Sequence, residues 1–357
     1  MLELDFKKYA LQIILQVESL LNLPVYLVGG AVRDVLLGKK IKDWDFATPC
    51  NSEIVENAVR KAGKKPYVLG KKFGTIGFKL EILGKIEYIE ITTFRTEIYQ
   101  EKSRKPEVIF TDRIEIDLAR RDLTINAMAM QRDGQIIDNW NGQKDLENKI
   151  IRAVGNTKER FKEDPLRILR ALRFAATLGF EIEEKTWDKL CKMRFEILNI
   201  SKERWVLEID KILSLENCQK LEKGLSLLME SGIFGVIIPE LTLQKNYQQN
   251  SIYHDFDLWM HTKKVVCNIP CDNLEFLELR WSALLHDIAK PFVRTENKNG
   301  YSNYINHDIL GAQMSLKISN YLKFSNNRRD YIFENILNHL KSDSKLKKYD
   351  DMGKKLL

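Results

Sequence analysis

Apolar residues recur at helical spacing from Phe6 to about Leu21, and the period then changes. Residues 25–30, Val-Tyr-Leu-Val-Gly-Gly, form a short apolar run stopped by glycines, which predicts a strand and a tight turn. Helical spacing returns from Ala31 and ends at Gly38. Further strands are predicted at residues 75–80, 85–93 and 134–138, whereas the polar segment 96–113 shows no clear period. From Glu159 onward helical periodicity dominates, with Leu166, Leu169, Leu172 and Phe174 set among arginines, and with Trp205, Ile209 and Ile212 further on. The expected fold class is therefore α+β, with strands confined to roughly residues 1–150 and helices filling 151–240 and 241–357. No internal repeat is visible, and only the end after Lys341 is biased, towards lysine.

The 357 residues, 44% of them hydrophobic, suffice for two or three separate cores. A net charge of +7 from 57 basic and 50 acidic residues is compatible with a phosphate-bearing partner, although an ordinary solvated surface gives similar numbers. No signal peptide or membrane span is apparent. The cysteines, at 50, 191, 218, 267 and 271, are scattered without the spacing of a zinc ribbon or redox motif, which points to a reduced, cytoplasmic chain. Cys267 and Cys271 lack the second pair that a structural metal site needs.

Chemistry enters at Gly29-Gly30-Ala31-Val32-Arg33-Asp34, followed by Asp43-Trp44-Asp45. A glycine turn at a helix start lets backbone N–H groups approach a triphosphate, and Arg33 adds a charged fork one turn in. Two aspartates separated by one residue on a strand point to the same face and can share divalent ions. Either motif alone is common, since double glycines usually mark plain turns and Asp-x-Asp occurs on many surface strands. In this order, however, they resemble the catalytic core of the DNA polymerase β nucleotidyltransferase superfamily. The run Leu27 to Gly38, Leu-Val-Gly-Gly-Ala-Val-Arg-Asp-Val-Leu-Leu-Gly, with Asp43-Trp44-Asp45, narrows the resemblance to the class II tRNA nucleotidyltransferases and bacterial poly(A) polymerases.

That resemblance implies a polymerase-β-like head with a small mixed sheet over residues 1–150. A nucleotide- and RNA-binding helical neck and body would follow over 151–240, and an HD-like helical domain, possibly shortened, over 241–357. It places Mg²⁺ on Asp43 and Asp45, and gives Gly29, Gly30 and Arg33 to the nucleotide. A third catalytic carboxylate is expected on a neighbouring strand, where Glu90 stands on the face opposite Ile89 and Ile91. Arg120-Arg121-Asp122 reads by itself as the polar start of a helix with a salt bridge; the resemblance assigns Arg121 and Asn126 to ribose and phosphate recognition. Segment 203–213 corresponds to a helix that braces the neck.

Asp164, Arg167, Arg170 and Arg173 recur every three residues behind Pro165, so that neighbours share a helical face. Their plain reading is an arginine-rich face held by glutamates. In the family, the aspartate and first arginine pair with the Watson–Crick edge of the incoming base. A carboxylate accepts from the exocyclic amino group of C or A and a guanidinium donates to the ring nitrogen, contacts that U and G would turn repulsive. Arg170 and Arg173 would then meet nucleotide or triphosphate. Segment 96–118 matches in length the loop of relatives that add the terminal A, and retains Arg104-Lys105-Pro106.

All five histidines, 254, 261, 286, 307 and 339, lie beyond residue 250. His286-Asp287 in Leu-Leu-His-Asp-Ile-Ala-Lys-Pro, with His261 upstream, resembles an HD-type metal phosphohydrolase, and a second metal site is expected at His261, His286 and Asp287. The family adds an aspartate on a later helix, but the chain ends soon after His339, leaving that set short of a ligand. The same short end leaves little chain for the tail with which relatives grip the tRNA elbow.

The expected activity is template-independent addition of C, C and A to the tRNA 3′ end, at the acceptor stem, from CTP and ATP. A partial CC- or A-adding enzyme and a poly(A) polymerase are the near alternatives. From another class, an HD-type phosphohydrolase with a nucleotide-binding head is the rival, and intact Asp43 and Asp45 argue against it. No membrane partner is expected.

Overall fold

The computed structural model describes residues 5–68, 74–82, 84–98, 107–250 and 256–354, so Arg104, Lys105, Pro106 and His254 lie outside the described residues. Two compact units divide the chain: residues 1–164 with 181–186, and residues 165–180 with 187–357.

In the first unit, α1 (Phe6–Leu21) starts where the Asp5 carboxylate accepts the Lys7 and Lys8 N–H groups, both at 3.1 Å. It ends on Asn22 in the left-handed region and buries Ala10, Ile13, Ile14, Val17 and Leu21, the stripe that the sequence periodicity predicts. The elements that follow are β1 (Tyr26–Val28), α2 (Gly30–Leu36), β2 (Trp44–Thr48), α3 (Ser52–Lys61), β3 (Tyr67–Val68), β4 (Thr75–Ile82) and β5 (Lys85–Thr93). After them come β6 (Arg95–Ile98), β7 (Glu107–Phe110), α4 (Ile114–Ala119), β8 (Ala129–Met130), β9 (Ile136–Ile137), α5 (Gly142–Glu147), β10 (Ile150–Ile151) and α6 (Thr157–Glu163). The small strand β11 (Glu181–Ile182) returns to pair with β10 in parallel.

The main sheet has the order β3-β4-β5-β2-β1-β8-β9 and is mixed: β2 and β5 run parallel, while every other described pair is antiparallel. Its central strands bury Leu27, Phe46, Ile89 and Ile91. Val28, Ala47, Phe94, Ile114, Leu118 and Ala129 gather in one cluster, with Tyr26 and Ile137 packed against it. Segment 96–113, in which no period is visible, holds the antiparallel pair β6–β7. A two-stranded ribbon buries no continuous apolar face, so alternation carries no signal there.

The second unit is almost wholly helical. It contains α7 (Leu166–Leu178), most of α8 (Glu184–Lys192), α9 (Lys202–Leu213), α10 (Cys218–Glu230), α11 (Ile233–Ile237), α12 (Leu258–Asn268), α13 (Phe276–Leu285) and α14 (Lys290–Val293). A small hairpin, β12 (Thr295–Glu296) with β13 (Ser302–Asn303), precedes α15 (His307–Tyr321), α16 (Asn326–Leu337) and α17 (Lys347–Gly353). Two polar networks tie these helices. Asp210 of α9 accepts the Trp281 indole N–H at 2.7 Å and a two-pronged Arg328 at 2.8 and 2.9 Å. Arg280 donates to the carbonyls of Ile269 and Leu215, joining the ends of α12 and α9. The lysine-rich end is thus no featureless tail: α17 packs on α12. None of the described helices is long and apolar enough to cross a membrane.

Candidate functional site

The acidic group of the first unit is set by the pairing of β2 with β5. Asp43 precedes β2 and Asp45 is its second residue; both are exposed, while Trp44 between them is buried. On that buried face the Trp44 indole donates to Glu87 Oε2 at 3.1 Å, the Tyr9 hydroxyl donates to Glu87 Oε1 at 3.0 Å, and the two rings meet edge-on at 5.8 Å. The parallel register sets Asp45 beside Glu90, so both project to the opposite face. Desolvation by the surrounding atoms pushes the Asp45 carboxyl up, Arg121 opposes this, and Asp43 adds to it. Glu90 is likewise pushed up by burial, then by Asp45 and Asp43. The charges of Asp43, Asp45 and Glu90 therefore oppose one another, a repulsion that a divalent cation would relieve. Hard oxygen donors of this kind suit magnesium-like ions.

Tyr67, which the sequence did not single out, lies over Gly77, the partner of Glu90 in β4. A Cβ at Gly77 would fall 2.3 Å from the tyrosine ring, and burial followed by Glu90 raises the phenol. Only a small-residue gap in a β pattern signals such a neighbour.

Arginines and amides form the polar side of this unit. Gly29 has φ 71°, and a Cβ there would lie 2.6 Å from Arg121 Nη1, so glycine is required both for the turn and for the approach of that guanidinium. Arg33 donates to Asn126 Oδ1 at 2.7 Å and to Asp34 at 2.8 Å, and Asn126 donates to Asp122 at 3.1 Å. Gly30 is the first residue of α2, beneath the Arg33 fork. Arg120-Arg121-Asp122 does not begin a helix, contrary to the expectation from its sequence. It follows the end of α4, and Leu123 is extended, bridging to Ala153, before a single 3-10 turn at Thr124–Asn126. A short apolar run fits either period, and here the bridge decides. The organiser that went unnoticed is Asp117, 1% exposed, which accepts from Arg120 at 2.8 and 3.0 Å, from Arg121 at 3.3 Å and from the Arg95 N–H at 3.3 Å.

The base-reading candidates divide between the units. Asp164 closes the first unit in an extended conformation, φ −142° and ψ 100°, and so does not sit on the helical face that its spacing suggests, because Pro165 forces the preceding residue out of the helix. Within the second unit, α7 carries Arg167 buried and Arg170 and Arg173 half-buried. Arg173 donates to Glu208 of α9 at 2.6 Å and lies 4.0 Å from the Phe174 ring; Arg170 lies 5.5 Å from the same ring. Burial pushes Glu208 up, but Arg173 and Lys211 outweigh it and hold the carboxyl below its usual range. Segment 203–213 thus lies in a helix that braces the arginine face of α7.

A second, fully buried centre lies within the helical unit. His261, His286, Asp287 and Asp350 place ligand atoms within 4.8 Å of one another, as do Asp287, His307 and His339. In each histidine Nδ1 faces a backbone carbonyl: Gly353 at 3.1 Å, Ala283 at 2.7 Å, Tyr304 at 2.6 Å and Ile336 at 2.6 Å. A carbonyl only accepts, so Nδ1 carries the proton and Nε2 turns its lone pair inward. His261 and His286 then meet Nε2 to Nε2 at 3.3 Å, and His307 and His339 at 3.2 Å. Facing lone pairs need a cation between them. Burial lowers His286, but Asp287 and Asp350 overcome it and raise the imidazole to about 9, which favours a proton between His261 and His286, whereas burial lowers His339 to about 4. Asp350 is the fourth ligand-type residue that the short end seemed to lack: it lies on α17, with Oδ1 3.1 Å from His261 Nε2. Gly353 permits the approach, since a Cβ there would come 2.6 Å from Val265. Neither residue stood out among lysines.

The comparisons with known proteins match the chain in three stretches. A family model described as Poly A polymerase head domain matches residues 25–152, one described as a probable RNA and SrmB-binding site of polymerase A matches 179–244, and the HD domain matches 258–354. A CCA-adding enzyme of Lactococcus lactis subsp. lactis is 40% identical over 276 residues, 76% of this chain and 62% of the relative. That of Lactococcus lactis subsp. cremoris is 40% identical over 298 residues, 80% of this chain and 67% of the relative. The chain spans about three fifths of the length of the first of these relatives. Among solved structures, the Bacillus stearothermophilus CCA-adding enzyme in complex with CTP superposes with a TM-score of 0.58 at 26% identity, covering 97% of this chain and 80% of that one. A CCA-adding enzyme in apo form II gives 0.64 at 25%, covering 97% and 82%.

Replacing Asp117 by Asn should cost about 3–5 kcal/mol, because the guanidiniums of Arg120 and Arg121 lose a buried counter-charge. Burial pushes the Asp117 carboxyl up, but Arg121 and Arg120 outweigh it and hold it below the ordinary carboxylate range. Its contribution is therefore complete above pH ~4 and is lost as pH falls through the depressed value. Urea unfolding of both proteins should show the gap narrowing as pH is lowered from about 5 towards 3; a gap independent of pH would contradict the charge assignment.

Proposed function

The chain belongs to the family of the CCA-adding enzymes, and on that premise we propose that it adds C, C and A to the 3′ end of tRNA from CTP and ATP, without a template. The observation that carries the reading is the register of Asp45 with Glu90, with Asp43 beside them, on the exposed face of a polymerase-type head. Asp43 and Asp45 would hold Mg²⁺, with Glu90 as the third catalytic carboxylate. When bound, such ions polarise the triphosphate and lower the pKa of the attacking hydroxyl. Gly29 and Gly30 would present the backbone of the turn to phosphate oxygens, with Arg33, Arg121 and Asn126 binding triphosphate and ribose. Asp164 and Arg167 would read the base edge, with Arg170 and Arg173 supporting on the nucleotide side.

The division into a head at residues 1–150, a neck and body at 151–240 and an HD-like domain at 241–357, and a cytoplasmic location, belong to the same proposal.

A second reading applies to the buried centre. Asp350 and the inward-facing imidazoles support a divalent-metal phosphohydrolase in the HD-like part, held by His261, His286, Asp287 and Asp350. A transition metal suits this nitrogen-rich donor set and supplies an acidified water.

Gel-resolved extension of tRNA transcripts ending before CCA, after C and after CC, with each nucleotide separately, tests the transferase. Stepwise C, C, A addition that stops there and disappears in Asp45→Ala is expected. A long A tail would make the chain a poly(A) polymerase, and extension of only some primers a partial enzyme; no extension would overturn the reading. In the same assay Arg167→Ala should lose roughly 5- to 150-fold in discrimination against UTP and GTP, the equivalent of a 1–3 kcal/mol base contact. For the second centre, Mn²⁺- or Ni²⁺-dependent cleavage of a nitrophenyl phosphodiester should vanish in Asp350→Ala together with bound metal, while nucleotide addition persists. A wild-type protein that binds no transition metal would end that proposal.

A further inference from the structure

Cysteines that look scattered in the sequence are gathered by the fold. Cys218 opens α10, Cys267 lies in the last turn of α12 and Cys271 follows that helix. The Cys267 thiol donates to the Cys218 carbonyl oxygen at 3.6 Å, which brings the two cysteines together at the start of α10. Cys271 turns instead to the Arg280 guanidinium. The helices that carry the first two thiols pack directly on each other within one unit, so no movement between units is needed to join them.

We propose that Cys218 and Cys267 are a modification site, a thiol pair that a peroxide converts to a reversible disulfide. Their exposures divide the labour, since Cys218 is exposed and Cys267 half-buried. Burial, followed by the neighbouring Cys218, pushes the Cys267 thiol far up, so it does not meet the oxidant as a thiolate. Cys218 sulfur attacks one peroxide oxygen, the O–O bond breaks, and a sulfenic acid and water result. Cys267 sulfur then attacks the Cys218 sulfur, the S–O bond breaks, and the hydroxyl leaves as a second water with the Cys267 proton. In sum, two thiols are oxidised and one peroxide is reduced. The bond would fasten the start of α10 to the helix that bears His261, and it rests on neither proposed activity.

Hydrogen peroxide is the probe. After treatment, blocking of free thiols and trypsin digestion without reductant, the expected product is residues 212–220 linked to residues 265–280. It should be released by dithiothreitol and accompanied by loss of two of the five titratable thiols. The linked pair should persist in Cys271→Ser and be lost in Cys267→Ser, where Cys218 should instead be trapped by dimedone as sulfenic acid. A disulfide confined within peptide 265–280, a link only between molecules, or five surviving thiols would each overturn the proposal.

Discussion

Everything proposed for the first unit depends on holding two carboxylates, Asp45 and Glu90, side by side on one sheet face, with Asp43 at the strand's entrance. The parallel pairing of β2 with β5 sets Asp45 next to Glu90, and Asp43 adds its charge from the strand's entrance. Left to themselves these groups would move apart or take up protons. What prevents separation is the opposite face of the same two strands, where Trp44 is buried and bonded to Glu87, and Tyr9 of α1 closes on both. The strands cannot slip by one residue without exchanging the buried indole for a carboxylate. The acidic edge is therefore stable because the apolar edge behind it is.

The same logic recurs in the helical unit, with burial far more complete. His261, His286, Asp287 and Asp350 are all buried. Backbone carbonyls fix every imidazole before any ion arrives. Orientation is thus set by local helix ends, and charge is left to be balanced at the centre. On the proposed function, the exposed carboxylates of the head would face a substrate that comes and goes with its metal. The buried histidines suit a resident ion better than an exchanging one, as the second reading proposes.

Much of this was legible in the sequence where local pattern and chemistry coincide. The stripe of α1, the strand and glycines at residues 25–30, and the placing of Glu90 on the strand beside Asp45 are all found in the structure, although Asp43 stands just before its strand rather than on it. Three features were not legible. The ribbon β6–β7 has no apolar face to betray it. Arg120-Arg121-Asp122 has the composition of a helix start but is drawn out of helix by the bridge from Leu123 to Ala153, a pairing across thirty residues. Asp350 and Asp117 are single acidic residues among opposite charges, and only tertiary contact distinguishes them from the solvated carboxylates around them.

Asp117 and Glu208 show why a run of arginines is ambiguous when read alone. Arg120 and Arg121 are both held by Asp117, yet Arg121 also presses against Gly29, where only a missing side chain leaves it space. Arg173 is held by Glu208 in the same manner, on a helix whose neighbouring arginines are assigned to nucleotide. Structural pairing and ligand binding are therefore not exclusive readings of one arginine. A guanidinium has five donors in a fixed fork, and a carboxylate that occupies two of them leaves the others aimed and rigid. Unpaired, the same side chain would have to be ordered by the substrate, at a cost in affinity. The glutamate-held arginine face is thus compatible with the nucleotide recognition proposed for it.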